Sequence, residues 1–238
     1  MNNTQLLNWD SDILGISVAK ILPSPLTTEK LALLLQELKS QRVKLVYWLV
    51  ASEDIVSQKA AQHCAGFLAD KKITYCVDLR TLSPLPSARG VEIYTSDTAN
   101  SELKTIATEI GRLSRFGNDP HLTVEQVNRL YKAWINNACK KTVAKIVLVT
   151  KNQHNIVGVV TIDEKQGRGD LSLLGVDPQH QSKGIGKRLV HAAQAWCLAN
   201  DYPISQVVTQ QGNIKACRLY ESCSYQQEKT EYFYHFWL

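Results

Sequence analysis

The chain has 238 residues, of which 44% are hydrophobic and 21% are charged, so it has the composition of a globular protein with one or two domains. Its net charge of +5 comes without a dense block of Lys and Arg interleaved with aromatic residues, which disfavours nucleic-acid binding. No apolar run approaches the roughly 18 to 20 residues of a membrane helix, and the first residues do not resemble a signal peptide. We therefore expect a cytoplasmic protein that binds neither nucleic acid nor membranes.

Residues 1–80 are predicted to form a small α/β domain. A turn-rich entry at residues 8–18 precedes a helix that Thr27 or Thr28 can cap. The periodicity then predicts a strand at residues 43–50, a helix at 57–68 and a second strand at 73–79. No group of potential catalytic residues stands out in this part of the chain.

A linker is predicted at residues 81–90, TLSPLPSARG. Its prolines, serines and glycine interrupt both the helical and the strand periodicity. A second domain is therefore expected over residues 91–238.

The second domain is predicted to begin with a strand at residues 91–94 and a helix that Ser96 or Asp97 can cap. A polar loop at residues 114–120 leads to a helix capped by Thr123. Two strands follow at residues 145–150 and 156–163, joined by a hairpin. The remaining elements are a strand at 171–176, a long helix from 185 onward, a strand at 204–209, a helix at 213–224 and a last strand at 232–237. We expect the aromatic last strand to be an exposed edge at which a homodimer could pair.

Residues 171–190, LSLLGVDPQHQSKGIGKRLV, combine a strand, a polar loop with glycines and the start of a helix. Gly175 predicts a bulge or a close backbone approach near the end of the strand. The first N–H groups of a helix are unpaired and carry partial positive charge, so a loop of this kind can bind phosphate groups. No acidic residue lies between Pro178 and Asn200. From these features alone, an ordinary strand-to-helix turn is an equal alternative.

The whole string is more specific, because a strand ending in Val176, then Asp-Pro, then Gln181-x-x-Gly184-x-Gly186 resembles the acyl-CoA loop of GNAT-type N-acyltransferases. The resemblance implies an α/β (mixed α+β) GNAT fold, in which a mixed, mostly antiparallel sheet carries helices on both faces, and the predicted order of elements agrees. It implies acetyl-CoA as the co-substrate. The residues that would hold it are Leu174, Gly175, Val176, Gln181, Ser182, Lys183, Gly184, Ile185, Gly186 and Asn213. Ser182 stands where the family usually has glycine, and we expect binding to survive if the φ angle of this serine is ordinary.

Three further segments look like those of the dTDP-fucosamine acetyltransferase branch of this family. Those enzymes acetylate the 4-amino group of a dTDP-4-amino-4,6-dideoxy sugar by direct transfer in a ternary complex, for cell-surface polysaccharides. The resemblance implies the same reaction here and covers nearly the whole chain. The segments are Trp9-Asp10-Ser11-Asp12-x-x-Gly15, Ser114-Arg115-Phe116 with Asp119-Pro120 and Leu130-Tyr131-x-x-Trp134-Ile135-x-Asn137, and Thr209-Gln210-x-Gly212-Asn213-x-x-Ala216-x-Arg218-Leu219-Tyr220.

The resemblance also implies roles for single residues. Tyr220 would be the general acid for the leaving thiolate, since a phenol is protonated at neutral pH, although its helical spacing also fits a core position. Apart from the resemblance, a distortion at Gly175 would leave nearby N–H groups without a ladder partner, which makes the N–H of Val176 a candidate donor to the thioester oxygen; a regular central strand is the alternative. Asn213 would contact the pantetheine arm and cap its helix, and Arg115 and Asp119 would bind the nucleotide sugar.

Several alternatives stay open. The base is not evident among Glu109, Asp119 and Glu221, and a water chain could accept the proton instead. We expect His180 and His191 to be solvated surface residues. The six cysteines and six histidines show no C-x-x-C or H-E-x-x-H spacing, so we predict reduced core thiols and no metal site. Other functions left open are acetylation of a polyamine, aminoglycoside or peptide N-terminus, and non-catalytic acyl-CoA binding.

Overall fold

The computed structural model of the protein describes residues 3–22, 25–82 and 87–238. Part of the predicted linker, residues 83–86, lies outside the described residues. The strands are β1 (Thr4–Leu6), β2 (Val18–Ile21), β3 (Leu45–Ala51), β4 (Phe67–Asp78), β5 (Val91–Ile93), β6 (Ile146–Asn152), β7 (Asn155–Lys165), β8 (Arg168–Val176), β9 (Ile204–Gln210) and β10 (Gln226–Trp237). The helices are α1 (Asn8–Leu14), α2 (Thr28–Ser40), α3 (Ile55–His63), α4 (Ser101–Arg112), α5 (Val124–Cys139), α6 (Ile185–Ala199) and α7 (Ile214–Glu221).

All the described strands belong to one sheet, in the order β1-β2-β3-β10-β4-β9-β8-β7-β6-β5. The pairs β2–β3 and β8–β9 are parallel, and the other neighbours are antiparallel. The sheet is therefore mixed and mostly antiparallel, as predicted.

Helices cover both faces of this sheet, and alternate strand residues show which helices lie on which face. Val147 and Val149 of β6 pack with α1, α4 and α5, whereas Ile146 and Leu148 pack with α6 and α7. In the same way, Tyr47 of β3 packs on the face of the sheet that α1, α4 and α5 cover. Its neighbours Val46 and Trp48 point to the other face and pack on α2 and α3. This arrangement confirms the predicted fold class.

The last strand joins the two parts of the chain. β10 lies between β3 and β4, and β4 in turn pairs with β9. The predicted exposed edge at residues 232–237 is therefore wrong, because this strand lies inside the sheet, with residues 232–235 paired to both neighbours and residues 236–237 paired to β3. The division into domains at residues 81–90 stays a prediction, but strands from both sides of it share one sheet.

Some local predictions hold and others do not. Thr27 caps α2 and Thr123 forms a capping box with Gln126 at the start of α5, as expected. The cap of α4 is instead Asn100, whose side chain accepts from the N–H of Leu103 at 3.0 Å. The entry around residues 8–18 contains the unpredicted helix α1, which is short and therefore depends on packing against the core.

The six cysteines are free thiols, and four of them are buried, at positions 139, 197, 217 and 223. No helix in the described parts of the chain combines the length and apolarity that a membrane span requires.

Candidate active site

β8 and β9 lie side by side but separate toward the carboxyl end of β8. Their parallel pairing covers only residues 169–171 of β8 and 205–207 of β9. Beyond it, β9 stays paired with β4 as far as Gln210, and β8 stays paired with β7 as far as Val176. The sheet therefore opens between the ends of the two strands, next to the predicted acyl-CoA loop.

The main-chain N–H groups of Leu174 and Val176 face this opening. The N–H of Asp177 donates to the carbonyl of Val157 at 2.9 Å, so residue 177 is hydrogen-bonded toward β7. N–H groups alternate in direction along a strand, so those of residues 174 and 176 point to the side that β9 has left. The N–H of Val176 is thus placed as an oxyanion donor needs to be, and its catalytic role stays a prediction.

Gly175 does not form the bulge that was one of its two predicted roles. The register shift between β7 and β8 instead leaves Ser172 as the extra residue, where the N–H of Leu173 donates to Oγ1 of Thr161 at 3.0 Å. Gly175 is in regular register, and a Cβ there would lie 2.6 Å from Cγ2 of Ile106 on α4. The glycine therefore permits the close approach of α4, which was the other prediction.

The loop between β8 and α6 presents its main chain to solvent. Residues 181–184 are exposed, and Gln181 anchors the loop by donating from Nε2 to the carbonyl of Val176 at 3.3 Å. Ser182 and Gly184 have left-handed backbones, with φ angles of 60° and 74°. Left-handed residues turn neighbouring N–H groups to one side, which favours anion binding at the start of α6.

Ser182 does not have the ordinary φ angle that we expected. It adopts the left-handed conformation that a glycine takes without strain, and this costs an L-residue about 1–2 kcal/mol. The main chain therefore keeps the shape that the usual glycine would give, and the serine is strained to provide it.

The charge around this loop suits a diphosphate. Lys187 and Arg188 are exposed in the first turn of α6, which contains no acidic residue. The loop adds Lys183, whose Nζ donates to the carbonyl of Gln179 at 3.2 Å. Cationic side chains and the positive end of a helix thus meet at one surface.

Gly186 marks the place where the loop, β8 and α7 meet. A Cβ at this position would lie 3.2 Å from Cδ2 of Leu219 and 3.8 Å from Cγ2 of Val176. Tyr220 follows Leu219 and packs in the same hydrophobic cluster as Ile185. The tertiary structure therefore brings together the predicted donor-binding loop, the predicted oxyanion donor and the predicted acid.

Tyr220 is buried, with 4% of its surface exposed, and its ring centre lies 6.1 Å from that of Tyr75 and 6.0 Å from that of Tyr225. Burial raises its pKa above the ordinary 10, so the phenol is protonated at neutral pH. A thiolate released into such apolar surroundings would be more basic too, which favours proton transfer from the phenol. Tyr220 is thus a core residue, and its chemistry also fits an acid.

A cavity of about 460 Å³ lies at the ends of β4 and β9, beside the start of α7. Asn213 lines it and also caps α7, because its Oδ1 accepts from the N–H of Ala216 at 3.2 Å. The full lining is Ala69, Asp70, Lys71, Leu113, Asn118, Gln210, Gln211, Gly212 and Asn213. The cavity therefore combines the loop between α4 and α5 with the strand ends that border the opening in the sheet.

Arg115 belongs to that loop between α4 and α5 and is held by aromatic rings. Its guanidinium carbon lies 4.2 Å, 3.8 Å and 4.0 Å from the ring centres of Tyr47, Phe116 and Phe233. Its Nη1 donates to Nε2 of His235 at 2.9 Å. A planar cation fixed in this way is preorganised for a phosphate or carboxylate.

Asp119 fixes Arg115 through His235. Nδ1 of His235 donates to Oδ2 of Asp119 at 2.6 Å, and Nε1 of Trp237 donates to the same oxygen at 3.0 Å. Oδ1 accepts from the N–H of His121 at 3.0 Å. Only 2% of Asp119 is exposed, so the structure places it behind Arg115 rather than in contact with a substrate.

The pKa values of this network follow from its geometry. Burial alone would raise the pKa of Asp119, but the hydrogen bonds from His235, His121 and Trp237 lower it to about 2. Burial lowers the pKa of His235 to about 4, although the bond to Asp119 opposes this. His235 is therefore neutral at pH 7, with its proton on Nδ1 and its Nε2 free to accept from Arg115.

The other residues considered for proton transfer are engaged elsewhere. Glu109 is bonded by Nε of Arg112 at 3.2 Å, and Glu221 accepts from the hydroxyl of Tyr75 at 2.8 Å. His191 is buried and bonded to Gln194 at 3.0 Å, so the expectation of a solvated residue is wrong there. His180 is half-buried and lies 3.2 Å from Asp177.

Two polar residues of this site were not singled out from the sequence. His235 carried a signal, since a lone polar residue in an aromatic strand needs a buried partner. Asp70 carried none, because a carboxylate in a strand is usually solvated and its position in the cavity depends on tertiary contacts. Among the described residues, no group of three or more His, Cys, Asp or Glu could hold a metal ion.

Comparison with known families matches the acetyltransferase (GNAT) family to residues 112–225. This segment contains β8, the loop, α6 and Tyr220. This part of the chain is therefore similar to acetyltransferases of the GNAT family, a class of enzyme that uses acyl-CoA as the donor.

Among curated proteins, the spore coat polysaccharide biosynthesis protein SpsD of Bacillus subtilis is 27% identical over 124 residues. The match covers 52% of this chain and 43% of that protein. A GCN5-related N-acetyltransferase from Sphaerobacter thermophilus has a TM-score of 0.63 at 14% identity, covering 98% of this chain and 76% of its own. A protein of unknown function from Staphylococcus epidermidis has a TM-score of 0.68 at 15% identity, covering 95% and 87%. At these identities the structural likenesses show the fold alone.

Proposed function

We propose that the chain transfers an acetyl group from acetyl-CoA to the 4-amino group of a dTDP-4-amino-4,6-dideoxy sugar in the cytoplasm, for cell-surface polysaccharide synthesis. The observation that carries this proposal is the opening between β8 and β9, because β9 borders it as far as Gln210 and Gln210 also lines the cavity. The motif resemblance and the printed name of the Bacillus relative, a polysaccharide biosynthesis protein, support the choice of a sugar.

The donor would bind along β8 and the loop. Main-chain N–H groups of residues 181–186 would hold its diphosphate, because they lie at a helix start with two left-handed residues and cationic neighbours. The pantetheine arm would enter the opening in the sheet and reach Asn213. This geometry would align the thioester with the N–H groups of Leu174 and Val176.

Two groups of the chain would then assist the transfer. The N–H of Val176 would stabilise negative charge on the thioester oxygen, in a place where β9 does not compete for it. Tyr220 would protonate the departing sulfur, since its raised pKa keeps the phenol proton in place at neutral pH.

The acceptor would occupy the cavity, with Arg115 as the recognition residue for its diphosphate. The rings of Tyr47, Phe116 and Phe233 hold the guanidinium, so little side-chain entropy is lost when an anion binds. Asp119 would act indirectly, as a positioning residue that keeps His235 bonded to Arg115.

Acetylation of a different amine is the second candidate, and the acidic side chain of Asp70 in the cavity favours it. A polyamine would be attracted to this carboxylate, but Lys71 lines the same cavity with opposite charge. The balance of charge therefore does not select a polycation over an amino sugar that carries a diphosphate.

The test is product analysis by mass spectrometry with acetyl-CoA and a panel of dTDP- and UDP-amino sugars, polyamines and aminoglycosides. We expect a product 42 mass units heavier, as acetylation adds, and release of CoA with a dTDP-4-amino sugar. The matching 4-hydroxy sugar is the control and should give no product. Turnover of polyamines alone would support the second candidate, and turnover of none of these amines would reject both.

A further inference from the structure

Asp70 occupies the cavity because of an irregularity in β4. Asp70 pairs with Phe233 of β10, whereas the next register pair joins Leu68 to Tyr234, so Ala69 is an extra residue on β4. A bulge of this kind changes the direction of the neighbouring side chains and is common next to active sites. Asp70 shares its face of the sheet with Phe233, which contacts Arg115.

Asp70 is 9% exposed and lines the cavity together with Gln210 and Asn213. It therefore lies near the end of β9 and the cap of α7, which border the opening where the thioester would lie. Glu109, Asp119 and Glu221 are bonded to other side chains, as described above. In the described part of the chain, Asp70 is the acidic residue that lines the cavity.

The charged and titratable groups that face Asp70 come from three elements. Arg115 approaches from the loop between α4 and α5, Tyr131 from α5, and Lys72 lies on the same strand. Lys72 is itself paired with Glu231 of β10 at 3.0 Å. The side chain of Gln210 on β9 is uncharged.

These surroundings set the protonation of the carboxyl group. Burial raises the pKa of Asp70 to about 6, while Arg115, Lys72 and Gln210 oppose the rise. The carboxylate is therefore mostly ionised at pH 7 and more basic than a solvated aspartate, as a proton acceptor for an amine needs to be.

We propose that Asp70 is the carboxylate that binds the protonated acceptor amine in the cavity and removes its first proton. This inference rests on the proposed function. The substrate ammonium transfers one proton to Asp70, and the neutral amine attacks the thioester carbon. A nitrogen–carbon bond forms and the carbon–sulfur bond breaks. The sulfur takes a proton from Tyr220, the second nitrogen proton returns to Tyr220 through water, and Asp70 releases its proton to solvent.

The test compares Asp70→Asn with the wild-type enzyme in steady-state kinetics from pH 5 to pH 9. Asparagine keeps the shape of the side chain but cannot accept the proton. We expect kcat/KM for the amino sugar to fall by about 100-fold or more at pH 7, while the Kd for acetyl-CoA stays unchanged. The wild-type rate should rise with pH through about 6, where Asp70 ionises, and the variant should lose this dependence.

Asp170→Asn is the matched control. Burial also raises the pKa of the Asp170 carboxyl group, but this residue lies on β8 and its Oδ1 accepts from Nε2 of Gln206 at 2.7 Å. It should retain the wild-type pH profile. Asp70→Glu should restore part of the activity. If Asp70→Asn keeps the wild-type rate and pH profile, the role of Asp70 is overturned while the proposed function stands. If the wild type acetylates none of the amines in the panel, the proposed function fails and the assignment fails with it.

Discussion

Replacing Asp119 by Asn tests whether the buried network behind Arg115 stabilises the protein. The substitution removes the negative charge that accepts from His235 at 2.6 Å and from Trp237 at 3.0 Å. Asparagine has the same shape, but its single oxygen cannot accept from all these donors. We therefore expect a large loss of stability without any change in side-chain volume.

The pKa of Asp119 gives the size of the loss. The difference between its ordinary value of 3.8 and its value of about 2 in the folded protein is worth about 2–3 kcal/mol. Because the folded value is the lower one, this stabilisation is complete above about pH 4 and disappears as the pH falls toward 2. The whole effect is therefore present at pH 7.

Thermal unfolding at pH 7 measures this loss of stability. For a chain of this length, we expect Asp119→Asn to lower Tm by about 4–12 °C. The exposed Asp97→Asn is the control and should leave Tm within about 1 °C. A Tm for Asp119→Asn within about 2 °C of the wild type would refute the reasoning, because the carboxylate would then not hold His235 and Trp237.

Three further predictions concern other parts of the site. Ser182→Gly should leave the Kd for acetyl-CoA unchanged in calorimetry. It should raise the free energy of unfolding by up to about 1 kcal/mol, because it relieves left-handed strain at some cost in chain entropy. A less stable variant would contradict this expectation. Tyr220→Phe should lower kcat by about 100-fold or more with normal acetyl-CoA binding, while the neighbouring Tyr225→Phe should retain kcat; equal loss of both properties would make Tyr220 purely structural. His235 has a pKa of about 4 in the folded protein and an ordinary value of 6.5, so the unfolded chain takes up the proton first as the pH falls. The free energy of unfolding of the wild type should therefore fall by about 3 kcal/mol from pH 6.5 to pH 4, relative to that of His235→Gln. Parallel stability curves for the two proteins would show that His235 is not kept neutral.

Much of the fold could be predicted because local patterns determine it. Threonine at the start of a periodic segment identified the caps of α2 and α5, and alternation identified the strands on either side of the β6–β7 hairpin. The loop at residues 177–186 was predicted with its glycines because strand, turn and helix follow one another directly in the chain. These features depend on neighbours a few residues apart.

The pairing of distant strands could not be predicted in this way. The aromatic strand β10 suits an edge or an interior position equally, and only its hydrogen bonds to β3 and β4 decide for the interior. Gly175 was compatible with a bulge until α4 was placed against it. The opening between β8 and β9 arises because each strand keeps a different partner, which no local pattern encodes.

The sequence by itself thus determined the fold class, the strand–loop–helix segment that we propose as a phosphate site, and the choice of Tyr220, Arg115 and Asn213 as candidates. Only the tertiary structure decided that Asp119 lies behind Arg115, that His235 connects them and that Asp70 lies in the cavity. The physical reason is that burial and long-range hydrogen bonds set the pKa and the accessibility of a carboxyl group. Asp70 and Asp119 are the same residue type, yet their surroundings raise the pKa of one and lower that of the other.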